Sequence, residues 1–343
     1  MPRHTKTDKP STSTRSTRAG QLPASLTDQL DTRVEFARRA AVAASKAAQH
    51  TIVLALLAVF DQDEFADRPT YPAVNKDSAH PGDPAIPLDL YARDAAIGSL
   101  RHELARNLGV NEDKLTFCGE EASATTILLE NDRYLLRLDA LDGTSNSVAF
   151  WTGYSSVVCI DQVRRAEWGL RAHHLAGAIA TPQGIISWTN NSRFDHTLRA
   201  YPLVQGHVFF EYPQYMAERK VHKRTWSRSA DVIAAVAHTE ERYKQVLEVA
   251  KERGIGTFRR FYTAGGTPLA PALVGGEVGA LIEPRNVTLH DSALLIPHQL
   301  LGGVTTDLTG EPMNYLALYE ANGLELNPNY KPVPGYIAWG GLH

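Results

Sequence analysis

The order of helical and strand patterns along the 343-residue chain predicts an α+β fold with an α/β C-terminal half. Two long helical patterns come first, and several short strand patterns follow them. Beyond about residue 205, strand and helix patterns alternate, which is typical of a smaller α/β domain. The predicted organisation is therefore a tail at 1–24, an N-terminal α+β domain at 25–205 and a C-terminal α/β domain at 206–343.

Two segments predict the helices of the N-terminal half. Ser25 or Thr27 can cap a helix that runs to about Phe60 and is rich in alanine, a strong helix former. Residues 61–90 are rich in proline, which predicts a loop. From Tyr91 to Gly109 the apolar residues recur at intervals of three and four, so a second helix is predicted there.

Short apolar segments bounded by Gly, Pro, Asn or Asp predict the strands. In the N-terminal half they are Leu115–Cys118, Thr126–Leu129, Tyr134–Leu138, Tyr154–Ile160, Leu175–Thr181 and Ile185–Trp188. In the C-terminal half, strands are predicted at Val232–Ala237, Thr257–Tyr262 and Val278–Ile282, and helices at Thr239–Arg253, near Pro268–Val274 and at Asp291–Leu301.

The composition argues against several classes of protein. A net charge of −3 provides no bulk attraction for nucleic acid or for an anionic membrane. The two cysteines form no CxxC pair, which argues against a zinc framework and favours a reducing, cytoplasmic location. The apolar run Ile52–Phe60 is shorter than the ~20 residues that a membrane-spanning helix needs. The tail at 1–24 lacks an apolar face, so we expect disorder rather than a transit peptide.

The segment 136–147, which reads L-R-L-D-A-L-D-G-T-S-N-S, is the most informative part of the chain. Asp139 and Asp142 lie three residues apart, where an apolar run meets a small polar turn. Hard cations such as Mg²⁺ take oxygen ligands, and exposed backbone N–H groups at a turn bind phosphate. The segment therefore predicts a combined cation and phosphate site.

Two further acidic positions occur at the ends of predicted elements. Glu120 directly follows a predicted strand, and Asp291 begins an apolar helical run. A single acidic residue at such a place is often a helix cap or a solvated charge. Several carboxylates at the ends of apolar strands are costly to desolvate unless a shared cation neutralises them. We therefore expect these residues to join Asp139 and Asp142 around metal.

Several motifs resemble the signatures of the inositol monophosphatase family. They are Gly119-Glu120-Glu121, the stretch from Asp139 to Asn146, His290-Asp291-Ser292-Ala293, Gly302-Gly303 and Asp307-Leu308-Thr309-Gly310. The resemblance covers roughly residues 28–335 and extends to fructose-1,6-bisphosphatases and 3′-phosphonucleotide phosphatases. It implies a layered αβαβα sandwich and a Mg²⁺-dependent phosphomonoesterase.

The resemblance also implies roles for individual residues. Two or three Mg²⁺ ions would be held by Glu120, Asp139, Asp142, Asp291 and the backbone carbonyl of Leu141. Asp94 would hold the hydroxyl of Thr144, which orients the attacking water, and Glu120 would act with them in catalysis. Backbone N–H groups of Gly143, Thr144 and Ser145 would bind the phosphate, while Arg260, Gly265, Glu283 and His290 would contact the substrate.

The chain departs from the family pattern at three of these places. His290 stands where the family usually has Trp; it either packs as a structural donor or touches the phosphate or leaving group. Ala140 replaces the usual Pro, which loosens the turn without removing a ligand. The residues before Asp94 lack the threonine of the family consensus.

The favoured interpretation is hydrolysis of a small hydroxylated phosphate ester, such as an inositol or sugar phosphate, by metal-activated water. A nucleotide or 3′-phosphonucleotide phosphatase is the alternative, because the basic run at 219–228 contains Trp226. A non-catalytic binding protein that retains the fold is an alternative of another class. The expected partner is a small-molecule phosphate ester, with no nucleic acid polymer and no membrane, and the resemblance allows a homodimer.

Overall fold

The computed structural model describes most of the chain between Ala24 and Gly340. The described ranges are 24–60, 87–119, 129–143, 153–166, 169–192, 205–212, 217–223, 225, 232–237, 239–255, 258, 260–263, 266–327 and 329–340. Residues 1–23 of the predicted tail and 61–86 of the predicted loop lie outside these ranges, as does the strand predicted at Thr126–Leu129 except for Leu129. The last four residues of the predicted loop, 87–90, are helical instead.

The N-terminal half contains two long helices and a seven-stranded sheet. The helices are α1 (Ala24–Phe60) and α2 (Pro87–Leu108), followed by a 3₁₀ turn at Glu112–Lys114. The strands are β1 (Leu115–Gly119), β2 (Tyr134–Asp142), β3 (Ser155–Ala166), β4 (Gly169–Thr181), β5 (Gly184–Asn190), β6 (Gly206–Tyr212) and β7 (Ala217–Val221). They lie in sequence order; β1 and β2 are parallel and the other neighbours antiparallel.

The C-terminal half forms a five-stranded sheet with four helices among the described residues. Its helices are α3 (Glu240–Glu252), α4 (Ala270–Gly275), α5 (Leu295–Leu300) and α6 (Tyr315–Asn322), with a 3₁₀ turn at Thr267–Leu269 before α4. Its strands are β8 (Val232–Ala235), β9 (Arg260–Thr263), β10 (Ala280–Glu283), β11 (Val304–Asp307) and β12 (Tyr336–Trp339), in the order β11-β12-β10-β8-β9.

The layers follow from which apolar faces meet. Small side chains of α1, including Ala37, Ala44 and Ala48, pack with Leu100 and Leu104 of α2 against one face of the first sheet. The opposite face of that sheet packs against α4, α5 and α6, which also cover one face of the second sheet. Helix α3 covers the outer face of the second sheet. The predicted α+β class and the αβαβα layering are therefore confirmed.

Most predicted elements occur with shifted ends. Strand β2 continues past Leu138 to Asp142, so the first aspartate lies inside a strand rather than in the turn. The helix predicted from Asp291 begins only at Leu295, after a series of turns. Strands β6, β7, β11 and β12 and helix α6 were not predicted. The domain boundary after residue 205 stays a prediction. The first sheet includes β6 and β7 and so runs on to Val221.

A buried ionic cluster fixes β2 to the middle layer of helices. Arg137 donates to Asp161 Oδ2 at 3.1 Å and also to the backbone carbonyls of Gly323 and Glu325. His174 Nδ1 lies 2.7 Å from Asp161 Oδ1, and Trp188 donates to His174 Nε2 at 2.8 Å. Because a buried charge is stable only when paired, this cluster sets the position of β2 just before its acidic end.

Neither cysteine supports a redox or metal role. Cys118 and Cys159 are buried free thiols, and burial raises the pKa of both. A raised pKa keeps them as unreactive thiols. Among the helices that the structure describes, none is long and apolar enough to cross a membrane.

Candidate functional site

Strand β2 places Asp139 in the interior by simple alternation of its side chains. Leu136, Leu138 and Ala140 face the α1–α2 layer. Arg137 therefore points to the opposite face, where it meets Asp161, and Asp139 shares that face. Asp139 is 2% exposed, and its Oδ1 accepts a hydrogen bond of 3.1 Å from the backbone N–H of Leu141. The carboxylate is thus held in one orientation at the end of the strand.

The end of β2 is irregular between the two aspartates. The pairing of β2 with β3 shifts register between Asp139 and Asp142. Such a bulge re-aims the side chains that follow it. Ser156, from β3, donates to the carbonyl of Ala140 at 2.7 Å and supports the irregular stretch.

Gly143 closes the strand with a backbone conformation that favours glycine. Its φ is +86°, and a Cβ placed there would lie 2.6 Å from the carbonyl oxygen of Gly153. A side chain would meet both a left-handed conformation and a backbone clash. The chain therefore leaves β2 through a backbone conformation and a close approach that only glycine accommodates.

Thr267 fixes the orientation of Asp142. Its backbone N–H donates to Asp142 Oδ2 at 3.0 Å, and its hydroxyl donates to the same oxygen. Ser155 lies 2.6 Å from the Thr267 hydroxyl oxygen. Because that hydroxyl has a single proton, which it gives to Asp142, Ser155 must be the donor to Thr267. Both hydroxyl residues are fully buried, so the chain of hydrogen bonds is shielded from water.

The third part of the site is the turn before α5. The backbone N–H of Asp291 donates to the Thr288 hydroxyl at 3.2 Å. Ser292 bonds the Thr288 carbonyl at 2.6 Å and the Tyr315 hydroxyl at 2.8 Å. A Cβ on Gly266 would lie 2.8 Å from the carbonyl oxygen of Asp291, so this turn packs directly against the residue before Thr267.

These three parts bring together side chains that could hold a metal ion. Asp139, His290 and Asp291 each offer one ligand atom, and these atoms lie within 4.8 Å of one another. The Nε2 atom of His290 lies 3.5 Å from Asp291 Oδ1. Two carboxylates and an imidazole fit a divalent cation, because the carboxylates supply both oxygen ligands and compensating charge.

The electrostatics of Asp142 indicate the same requirement for a cation. Burial and the negative charge of Asp291 raise the pKa of Asp142 to about 6, although the hydrogen bonds from Thr267 oppose the rise. Two carboxylates that face each other disfavour simultaneous ionisation. A cation between them relieves that repulsion and allows both to be charged.

The comparisons with known proteins agree with this architecture. Neither a protein-family model nor a curated protein sequence matches the chain. The extragenic suppressor protein SuhB from Bartonella henselae matches with a TM-score of 0.55 and 14% identity, over 88% of this chain and 92% of that one. An IMPase (inositol monophosphatase) from Thermotoga maritima matches with a TM-score of 0.51 and 16% identity, over 92% and 93%. The chain has the inositol monophosphatase fold. The predicted resemblance is thus confirmed at the level of the fold, which does not by itself assign a reaction.

Within this inositol monophosphatase fold, Glu283 is a further buried acid near the centre. It ends β10, is 2% exposed, and its Oε1 accepts a hydrogen bond of 3.0 Å from the backbone N–H of Arg285. Burial raises the pKa of Glu283 to about 7; Arg285 and Arg242 oppose the rise, and the charge of Asp291 adds to it. Glu283, which was predicted to contact the substrate, therefore lies close enough to Asp291 for the two charges to interact.

Other predicted site residues are exposed at the surface or lie outside the described ranges. Asp94 is exposed on α2 and pairs with Arg93 at 2.8 Å. Arg260 is exposed at the start of β9. The remaining predicted site residues, Glu120, Thr144, Ser145 and Gly265, lie outside the described residues, so their roles stay predictions.

Strand β1 ends next to the site although Glu120 itself is not described. Gly119 pairs in parallel with Leu138, one residue before Asp139. Gly119 and His290 also line the same cavity of about 20 Å³, together with Arg137. Strand β1 therefore ends close to the acidic cluster.

Thr267 is the functional residue that sequence reasoning missed. The stretch around it was interpreted as a helix start and as a substrate-binding loop. Its bonds to Asp142 join positions 125 residues apart. The local sequence pattern does not predict this hydrogen bond, since the contact forms only after the two halves of the chain pack together.

Proposed function

We propose that the chain is a phosphoric monoester hydrolase that uses divalent cations to hydrolyse a small hydroxylated phosphate ester, such as an inositol or sugar phosphate. The observation that carries the proposal is that ligand atoms of Asp139 and Asp291, from two distant segments, lie within 4.8 Å of each other, and that the charge of Asp291 also acts on Asp142, next to the tight turn at Gly143. The fold is consistent with it, since one matching structure is an IMPase.

The donor set fits Mg²⁺, and we propose two or three ions. Asp139, Asp142 and Asp291 would hold them, with Glu120 and the backbone carbonyl of Leu141 as additional ligands. The main difficulty in hydrolysing an anionic ester is its repulsion of the attacking water or hydroxide. When bound, Mg²⁺ would neutralise phosphoryl oxygens and lower the pKa of a coordinated water.

The chain's own residues orient the reaction. Thr267 holds Asp142 through Oδ2, and the other carboxylate oxygen would bind metal. The N–H groups of Gly143 and of the following Thr144 and Ser145 would bind the phosphate, because N–H groups in a tight turn attract anions. Asp94 would hold the Thr144 hydroxyl that aims the attacking water. Glu283, buried near Asp291, would accept a hydrogen bond from a substrate hydroxyl.

The position of strand β7 supports a small ester. Arg219 and Lys220 belong to β7, which is five strands from β2 in the first sheet. At ~4.8 Å per strand, that separation is about 24 Å, so a small ester bound at the acidic cluster would not reach these two cations. Trp226, on which the nucleotide alternative depends, lies outside the described residues.

Phosphate release from a panel of esters tests the proposal. The panel comprises inositol 1-phosphate, fructose 1,6-bisphosphate, sugar monophosphates and nucleotides, each with and without Mg²⁺. We expect Mg²⁺-stimulated release from a small hydroxylated ester and its loss in Asp142→Asn. Asp307→Asn, in the exposed β11 turn, is the matched control and keeps full activity. A folded protein that releases phosphate from no ester would instead indicate a binding protein.

A further inference from the structure

The imidazole of His290 lies within the acidic cluster. The side chain is 8% exposed, and one of its ring nitrogens is among three ligand atoms that lie within 4.8 Å of one another. The other two atoms are carboxylate oxygens of Asp139 and Asp291. A mixed nitrogen and oxygen set is different from the all-oxygen surroundings that Mg²⁺ prefers.

The distance between His290 and Asp291 suits two ligands of one ion. Their Nε2 and Oδ1 atoms are 3.5 Å apart. A direct hydrogen bond between them would measure about 2.7–3.2 Å. Ligands that each lie about 2.1 Å from one ion are about 3.0–3.4 Å apart along an edge of an octahedron or a tetrahedron. The observed separation is therefore closer to that of two coordinating atoms.

The backbone around His290 is held in place independently of any ion. The N–H of Ala293 donates to the His290 carbonyl at 3.1 Å. The neighbouring Ser292 is fully buried; its hydroxyl donates to the Thr288 carbonyl at 2.6 Å and accepts from the Tyr315 hydroxyl at 2.8 Å. Because these bonds fix the turn on both sides, the imidazole and the Asp291 carboxylate are presented as a pre-arranged pair.

We propose that His290 is a nitrogen ligand of the metal centre and that the centre therefore binds Co²⁺ and Mn²⁺ more tightly than Mg²⁺. This inference rests on the metal site of the proposed function and adds a selectivity to it. Imidazole is a good ligand for first-row transition ions, whose affinities for such sites generally rise from Mn²⁺ toward Cu²⁺. Mg²⁺ retains its waters and gains little from an added nitrogen.

The experiment detects the nitrogen ligand directly and does not depend on catalysis. The full-length protein is loaded with one equivalent of Mn²⁺, and electron spin-echo modulation reports nitrogen bonded to the ion. Isothermal titration measures the affinities for Co²⁺ and Mg²⁺. We expect nitrogen modulation in the wild type, its loss in His290→Phe, and Co²⁺ affinity about 10- to 100-fold weaker in that variant. Mg²⁺ affinity should change by less than about threefold.

Two further variants make the result interpretable. His222→Phe removes an exposed imidazole at the end of β7 and should leave the modulation and both affinities unchanged. His290→Gln keeps the size and polarity of the side chain and should fold even if the phenylalanine variant does not, yet it should also lose the nitrogen signal. A wild-type protein without nitrogen modulation, or a signal that survives in His290→Gln, overturns the inference.

The outcome is separable from that of the proposed function. Nitrogen modulation in a protein that hydrolyses no ester would sustain the metal ligand and reject the phosphatase. Mg²⁺-stimulated hydrolysis with no nitrogen ligand would do the reverse.

Discussion

Removing the Thr267 hydroxyl should weaken metal binding and raise the pH that it requires. In Thr267→Val, Asp142 loses one of its two hydrogen bonds from residue 267, and the Ser155 hydroxyl loses its acceptor. A hydrogen bond to a charged group contributes about 1.5–3 kcal/mol. The backbone bond of 3.0 Å remains, so the carboxylate is loosened but not released. We expect metal affinity to fall about 10- to 100-fold, as is typical when a residue that orients a ligand is lost.

The pH dependence has a definite sign. The pKa of Asp142 is about 6, and the bonds from Thr267 hold it below the value that burial and Asp291 would set. Without the hydroxyl the pKa rises. Because a metal ion must displace the proton, affinity then begins to fall at a higher pH than in the wild type.

The assay is calorimetric Mg²⁺ titration between pH 5.5 and 8, with unfolding measured in parallel. Thr306→Val is the matched control, since Thr306 is also a buried threonine and accepts a hydrogen bond from Trp339 in the second sheet. It should lose stability without any change in metal binding. If Thr267→Val and Thr306→Val bind Mg²⁺ alike at every pH, Thr267 does not orient Asp142 and the reasoning is wrong.

Two further predictions concern the fold that supports the site. Burial lowers the pKa of His298 to about 4, whereas a histidine in the unfolded chain is protonated below about pH 6.5. The free energy of unfolding should therefore be unaffected by this group above about pH 6.5 and fall by up to about 3 kcal/mol toward pH 4. Urea unfolding at several pH values should show a smaller acid-side decline in His298→Gln, and an unchanged slope would contradict the assignment. Gly143→Ala should cost more stability than Gly109→Ala, because both glycines have positive φ but only Gly143 meets a backbone oxygen at 2.6 Å. Gly109 has open space around its Cβ position and should lose only about 1 kcal/mol; equal losses in thermal unfolding would exclude the clash.

Local signals predicted the long helices best. Helix α1 was predicted from its alanine content and α2 from apolar residues at intervals of three and four, and both occur close to their predicted bounds because these are local properties of the chain. Helix α3 was predicted to begin at Thr239, which is instead its N-cap: the Thr239 hydroxyl accepts from the N–H of Arg242 at 3.3 Å.

The missed strands are short or exposed. Strand β7 reads A-E-R-K-V and lies at the edge of its sheet, where charged side chains are common. In sequence it is indistinguishable from a solvated basic run. Strand β12 has only four residues, and its place between β11 and β10 depends on partners far along the chain.

By itself the sequence determined the fold class, because the order of helix and strand patterns is a local property of the chain, and it indicated Asp139, Asp142 and Asp291 as candidate ligands. Tertiary structure alone decided that Thr267 clamps Asp142 and that His290 turns its imidazole toward Asp139 and Asp291. Those contacts join residues that are distant in the chain, and they form only where the end of β2 meets the turn before α5. Their geometry is set by the close packing of backbone on backbone, as at Gly266 against Asp291, which no pattern of residue types records.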